Sequence, residues 1–148
     1  MKTKIYFDTS VISALFDERT PERLKMTAVL WSNLSDYEVF ISELVIEELE
    51  RVSEQVRPKL FSVAKDFIVL KISKEAEELA EIYVKQGIFP EKYFDDALHV
   101  ALASVNQIGV LLSWNFTHLV KLKTRRMVSI VNLSKNIMPV EIVSPPEL

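Results

Sequence analysis

The stretch "IYFDTSVI", residues 5–12, runs from an apolar segment into a polar turn within eight residues. Ile5, Tyr6 and Phe7 form a short run without polar alternation, the pattern of a strand covered on both faces. Asp8 ends that run, and Thr9 and Ser10 lead into a helical pattern over Ser10–Phe16, so the chain turns from strand to helix at a carboxylate. The same alternation continues outward. Short apolar runs at Val39–Ile41, Ile68–Leu70, Val110–Leu112 and Val140–Val143 are separated by helical patterns over Pro21–Leu34, Ser42–Val52, Pro58–Phe67, Lys74–Gln86, Glu91–Asn106 and Leu122–Asn132. Ser42 and Ser73 sit where N-caps belong, Pro21 and Pro58 lie near first turns, and Gly87 follows Gln86 as a stop. Strands alternating with helices predict an α/β fold, a three-layer α/β/α sandwich around a mostly parallel sheet. Sites in such sheets form outside the carboxyl ends of the strands, which directs attention to the residues that follow each run.

Bulk properties narrow the chemistry. A chain of 148 residues, 49% hydrophobic, fits one domain over residues 1–148 with a sizeable core. The absence of cysteine excludes disulfides, thiolate zinc sites and thiol nucleophiles, and two histidines cannot build a His-rich metal site, so any metal must be held by oxygen. Two glycines leave no Gly-rich loop for a nucleotide phosphate. No apolar segment is long enough for a signal peptide or a membrane span, and a soluble cytoplasmic protein is expected. The net charge of −3 argues against binding nucleic acid over the whole surface. Lys121, Lys123, Arg125 and Arg126 nevertheless make a local basic run, read either as a solvated helix face or as phosphate contacts.

Three acids stand in unusual places. Asp8 at the first strand end is either a helix N-cap or a functional carboxylate. In "SELVIEELERV" the helical period of about 100° per residue places Glu48 inside the stripe of Leu44, Val45, Leu49 and Val52, whereas Glu43, Glu47 and Glu50 fall on the opposite side. A carboxylate on a buried face needs a cationic partner, a proton or a metal. In "YFDDALHVALASV", Asp95 and Asp96 open a nearly apolar helix, and acids favour that position through the helix dipole as well. Periodicity does not choose between the two. Three carboxylates gathered at one end of a parallel sheet would raise one another's pKa unless a cation sat among them, and an oxygen-only set suits magnesium or manganese.

These residues, in this order, resemble the PIN-domain family of metal-dependent ribonucleases, in particular the toxins of the VapC type. "IYFDTSVI" is similar to the opening strand and first acid, "ISELVIEEL" to the second, "FDDALHVALA" to the third and "VLLSWNF" to the last motif. The resemblance implies that Asp8, Glu48 and Asp96 ligate Mg²⁺ or Mn²⁺, and it favours Asp96 over Asp95 as the third acid. It matches Ser113 to a hydroxyl that stabilises the site, and it puts Asn115 where many members carry a fourth acid. An amide oxygen can ligate a hard cation but brings no charge, so a second metal should bind more weakly; Asn115 as a simple helix cap is the other reading.

The implied activity is endonucleolytic hydrolysis of single-stranded RNA, leaving a 5′ phosphate, by the toxin of a toxin–antitoxin pair. The implied partners are the RNA, a small antitoxin that covers the acids with an arginine or lysine, and a second copy in a homodimer. Lys121, Lys123, Arg125 and Arg126 would meet phosphates flanking the cut. His99, one turn beyond Asp96, can hydrogen-bond a ligand but reads with His118 as a satisfied structural histidine, and Trp114, Phe7, Trp31 and Phe67 read as core. A haloacid-dehalogenase-like phosphoryl transferase also starts with a strand ending in Asp, but it would place a second aspartate where Ser10 stands. The stronger alternative is a catalytically attenuated PIN-like module that binds RNA or protein, and Asn115 is the residue that supports it.

Overall fold

The computed structural model describes residues 1–148. In chain order the elements are β1 Thr3–Phe7, α1 Thr9–Ala14, α2 Pro21–Ser32, β2 Tyr37–Ser42, α3 Glu43–Glu50, α4 Arg57–Ala64, β3 Ile68–Leu70, α5 Lys74–Lys85, α6 Phe94–Val105, β4 Val110–Leu112, α7 Leu122–Ser134 and β5 Glu141–Val143. Local chemistry sets the ends. The Ser42 hydroxyl accepts from the Val45 amide at 3.3 Å and the Ser73 hydroxyl from the Ala76 amide at 3.1 Å, so each caps the helix that follows. Gly87 ends α5 at φ +77°, a conformation that side chains resist. The helix expected from Glu91 begins later: Glu91–Tyr93 form a 3₁₀ turn and α6 starts at Phe94, which places Asp95 and Asp96 in its first turn.

All five strands are parallel, in the order β3-β2-β1-β4-β5. The chain builds outward from β1 through β2 to β3, then returns to the other side of β1 with β4 and β5. The strand order therefore reverses between β1 and β4, and a crevice opens beyond their carboxyl ends. Register brings those ends level, with Phe7 opposite Leu112, and the Asp8 amide extends the pairing by donating to the Leu112 carbonyl at 3.2 Å. Right-handed crossovers put α1 to α4 on one face and α5 to α7 on the other. Side chains agree: Phe7 packs on Trp31 and Phe67, while Tyr6, pointing the opposite way, packs on His99 of α6.

The helices of the second face are joined by a buried polar node. The Tyr83 hydroxyl donates to Asn132 Oδ1 at 2.5 Å, and the Asn132 amide donates to Ser104 Oγ at 3.0 Å, linking α5, α6 and α7. Burial pushes the Tyr83 phenol up to about 12, so it stays a neutral donor. Ile5, Phe7, Ile41, Leu111, Leu112 and Ile142 are fully buried in the sheet, each worth about 1.5–3 kcal/mol relative to exposure. One expectation fails: Ile68 and Val69 of β3 are each 45% exposed rather than covered on both faces. β3 is an edge strand paired only with β2, and an apolar run does not encode its rank in the sheet. No helix is long and apolar enough to cross a membrane.

Candidate metal centre

Asp8 follows β1 at the point where the strand order reverses. It occupies the N-cap position of α1, but its side chain makes no cap hydrogen bond. Its carboxylate is instead held by two hydroxyls, with Ser10 Oγ donating to Oδ1 and Ser113 Oγ donating to Oδ2, both at 2.5 Å. Each serine in turn accepts a backbone amide from the turn after β4: Trp114 N–H to Ser10 Oγ at 2.8 Å, Asn115 N–H to Ser113 Oγ at 2.9 Å. Those amides leave the serine protons free to point at the carboxylate, so the turn after β4 orients the acid after β1. Asp8 is 4% exposed. Burial raises its pKa and the charge of Glu48 adds to that, against the opposing pull of His99 and the two serines.

Glu48 reaches the same region from α3 and keeps a quarter of its side-chain surface. Its partner is not the lysine or arginine that a buried acid would ordinarily recruit. Oε1 accepts from Thr9 Oγ1 at 2.7 Å and lies 2.6 Å from His99 Nε2. Burial raises the Glu48 carboxyl, but the bond and charge of His99, the Thr9 bond and the more distant charge of Arg51 outweigh it and hold the group below its usual range. His99 continues into the core, with Nδ1 2.7 Å from the Tyr6 hydroxyl, which lies 2.8 Å from Ser42 Oγ. Ser42 Oγ already accepts the Val45 amide, and the Tyr6 oxygen is the acceptor within reach of its proton. His99 donates from Nε2 to Glu48; burial lowers its pKa, but the bond and charge of Glu48 with the charges of Asp8 and Asp96 outweigh this and hold the ring above its usual range.

Asp96, half-buried in the first turn of α6, completes the group. Its carboxylate has neither a hydrogen bond nor an ion pair within the chain. Burial raises its pKa; the histidines 99 and 118 oppose this and the charges of Asp8 and Glu48 reinforce it. Asp95 differs, lying 4.0 Å from Arg51 at the exposed surface. The neighbouring aspartates thus separate into one beside a guanidinium and one facing two other acids. As the side chains stand, no three Asp, Glu or His groups close around a single point as a coordination sphere. The chemistry of the donors suits a hard divalent ion: all three are carboxylates, Asp8, Glu48 and Asp96 feel one another's charge, and no lysine or arginine forms an ion pair with any of them.

Asn115 answers for its own turn. Its Oδ1 accepts the His118 amide at 2.9 Å and so closes the turn over 116–119; it caps no helix, since α7 starts at Leu122 with Lys121 at its N-cap, and its amide nitrogen has no partner in the chain. His118 is not enclosed; it stacks on Tyr93 with ring centroids 4.0 Å apart. Of the basic run, Lys121, Lys123 and Arg126 are exposed at the start of α7, whereas Arg125 donates to the Ile142 carbonyl at 3.3 Å. Trp114 is core, its indole N–H donating to Thr27 Oγ1 at 3.0 Å. Sequence reasoning missed Thr9, Ser10 and Tyr6 as parts of the site. A tyrosine inside a buried strand carries a hydroxyl that must find a partner, and that was the available signal.

Comparison with known proteins follows this geometry. Mycobacterium tuberculosis VapC20, described as a sarcin-ricin loop cleaving toxin, superposes with a TM-score of 0.60 at 21% identity, over 77% of this chain and 92% of its own. VapBC2 from Rickettsia felis, solved bound to a DNA fragment from its promoter, superposes with a TM-score of 0.58 at 11% identity, over 96% of this chain and 98% of its own. At these identities the likeness shows the fold. No curated protein matches the chain in sequence. The model of the PIN domain family matches residues 5–115, from β1 through the turn that carries Ser113 and Asn115. With β2, β3, β4, most of β1 and all three acids inside that match, which spans more than half of the chain, the chain belongs to the PIN domain family.

Proposed function

We infer that residues 1–148 act as a single-domain endoribonuclease that hydrolyses phosphodiester bonds of single-stranded RNA with Mg²⁺ or Mn²⁺, as the toxin of a toxin–antitoxin pair. The observation that carries this reading is three carboxylates at the crevice between β1 and β4, none of them in an ion pair with a lysine or arginine. Asp8, Glu48 and Asp96 would hold the ion. Bound there, it supplies positive charge that acidifies a water and offsets charge building on a phosphodiester. Ser10 and Ser113 keep both Asp8 oxygens in place, and Thr9 and His99 occupy one oxygen of Glu48, which leaves Oε2 without a partner in the chain. The free amide of Asn115 is a donor for a phosphate oxygen, and Lys121, Lys123 and Arg126 supply charge along the flanking backbone.

The partners belong to the same reading. A small antitoxin with an arginine or lysine would supply the cation these acids lack, which blocks the site by occupying it. Homodimerisation would cover apolar side chains on the outer side of α7, where Ile130 and Leu133 are 68% and 62% exposed.

The alternative, an attenuated binding module, draws on Asn115, whose oxygen serves the turn. One experiment separates the two. Labelled single-stranded RNA is incubated with the chain in manganese, in magnesium and in chelator, beside Asp96→Asn and Asn115→Asp. Metal-dependent cleavage that Asp96→Asn lowers at least about a hundredfold supports the nuclease. Asn115→Asp keeps an oxygen for the His118 amide and adds a charge, so it should fold normally and cut faster at low metal. If the wild type and Asn115→Asp both fold and neither cuts any RNA, the binding module is the better account.

A further inference from the structure

Beside the acids lies a cavity of about 480 Å³, between the start of α2 and the turn after β4, lined by Ser10, Asp17, Thr20, Arg23, Asn115 and Phe116 among others. Ser10 and Asn115 belong to both places, since Ser10 Oγ also holds Asp8. One wall is rigid. Trp114 is buried and anchored to Thr27, whose hydroxyl donates to the Arg23 carbonyl at 2.6 Å, tying the indole to the helical turn that carries Arg23. The Arg23 guanidinium lies 5.4 Å from the Trp114 ring centre and 5.5 Å from that of Phe116. Phe116 itself is 47% exposed, so the core does not need its ring, yet its turn is fixed by the Asn115 side chain. The Arg23 guanidinium makes no hydrogen bond within the chain; the Asp17 carboxylate, which feels its charge, is bonded by Arg19 at 2.9 and 3.1 Å.

We propose that this cavity is a nucleobase subsite, in which Phe116 stacks on the base next to the cut and Arg23 binds that nucleotide's phosphate or base edge. The proposal rests on the nuclease reading above and deepens it. A single-stranded nucleic acid brings one flat base and one phosphate per residue, and an exposed ring held beside an unpaired guanidinium matches that pair of groups. The volume is of the size that small-ligand sites occupy. A stacked purine covers more of the ring than a pyrimidine, so the subsite prefers a purine at one position flanking the cut. Stacking on a preformed wall is the same before and during reaction, and it therefore acts on KM rather than on kcat.

The test compares the wild type, Phe116→Ala, Phe116→Tyr and Arg23→Ala on short single-stranded RNAs, with 2-aminopurine placed in turn on each side of the cleaved bond. Expected are quenching of 2-aminopurine at one position by the wild type, and a KM raised roughly 5- to 100-fold in Phe116→Ala with kcat unchanged. Quenching and KM should recover in Phe116→Tyr, and the purine preference should vanish in Phe116→Ala. Cleavage by the wild type with unchanged KM and base preference in a folded Phe116→Ala overturns the subsite alone, even if the rings then prove to bind a protein. Failure of the wild type to bind or cut RNA overturns the subsite and the nuclease together.

Discussion

Asp8→Asn melts at a higher temperature than the wild type in chelator and loses cleavage by a factor on the order of 10²–10³ or more. Both effects have one cause. Asp8 is buried beside Glu48 and Asp96, and burial is the main reason its pKa is raised in the folded chain. An acid whose folded pKa is raised stabilises the fold most at pH values below its unfolded pKa, and that contribution is lost as pH rises through the folded value. At neutral pH the ionised carboxylate is therefore a cost that asparagine removes. Asparagine keeps an oxygen for one serine hydroxyl and its amide can donate to the other, so the crevice holds its shape. A gain of about 0.5–2 kcal/mol corresponds to roughly 2–6 °C for a chain of this length. Thermal melts in chelator at neutral and mildly acidic pH check this, with the difference between the proteins narrowing as acid neutralises Asp8. Equal melting temperatures at neutral pH would mean that the acid is compensated within the chain.

The second large effect lies at His99, 2% exposed. His99→Leu fills a similar space but removes the link between the Tyr6 hydroxyl and Glu48. Tyr6 loses its histidine partner in the core, and Glu48 loses the partner that does most to hold its pKa down. Removing one member of a buried ionic or hydrogen-bonded pair typically costs about 3–5 kcal/mol; with Glu48 a quarter exposed, about 2–4 kcal/mol is expected, a fall of roughly 5–12 °C. His99→Gln, which can present an N–H towards Glu48, should recover part of the activity and less of the stability. Tyr6→Leu added to His99→Leu should cost less than the sum of the two single replacements, without activity, because the phenol that His99→Leu leaves without its histidine is then gone. Melting curves and cleavage rates of the three variants measure this directly.

The alternation of short apolar runs with capped helical patterns was enough to read the layers and the parallel sheet, because each strand and helix carries its own local signal. The rank of β3 was not legible, since a sequence of Ile, Val and Leu is the same at an edge as at the centre. Asp8 and Glu48 stood out through position and helical phase. Asp96 did not, because Asp95 shares its helical turn; the difference lies in Arg51, which comes from another helix. The Ser113 bond to Asp8 and the Ser42–Tyr6–His99–Glu48 chain join residues 36 to 105 positions apart. Such contacts depend on strand order, which no local pattern records.

The central claim is that Asp8, Glu48 and Asp96 hold a divalent cation, and manganese binding followed by electron paramagnetic resonance tests it without relying on activity. Titrating Mn²⁺ into the wild type and into Asp96→Asn, both confirmed folded, should show at least one ion bound per chain in the wild type and a loss of that binding in the variant. Equal manganese binding by the two proteins, or none by the wild type at millimolar ion with RNA present, would contradict the account.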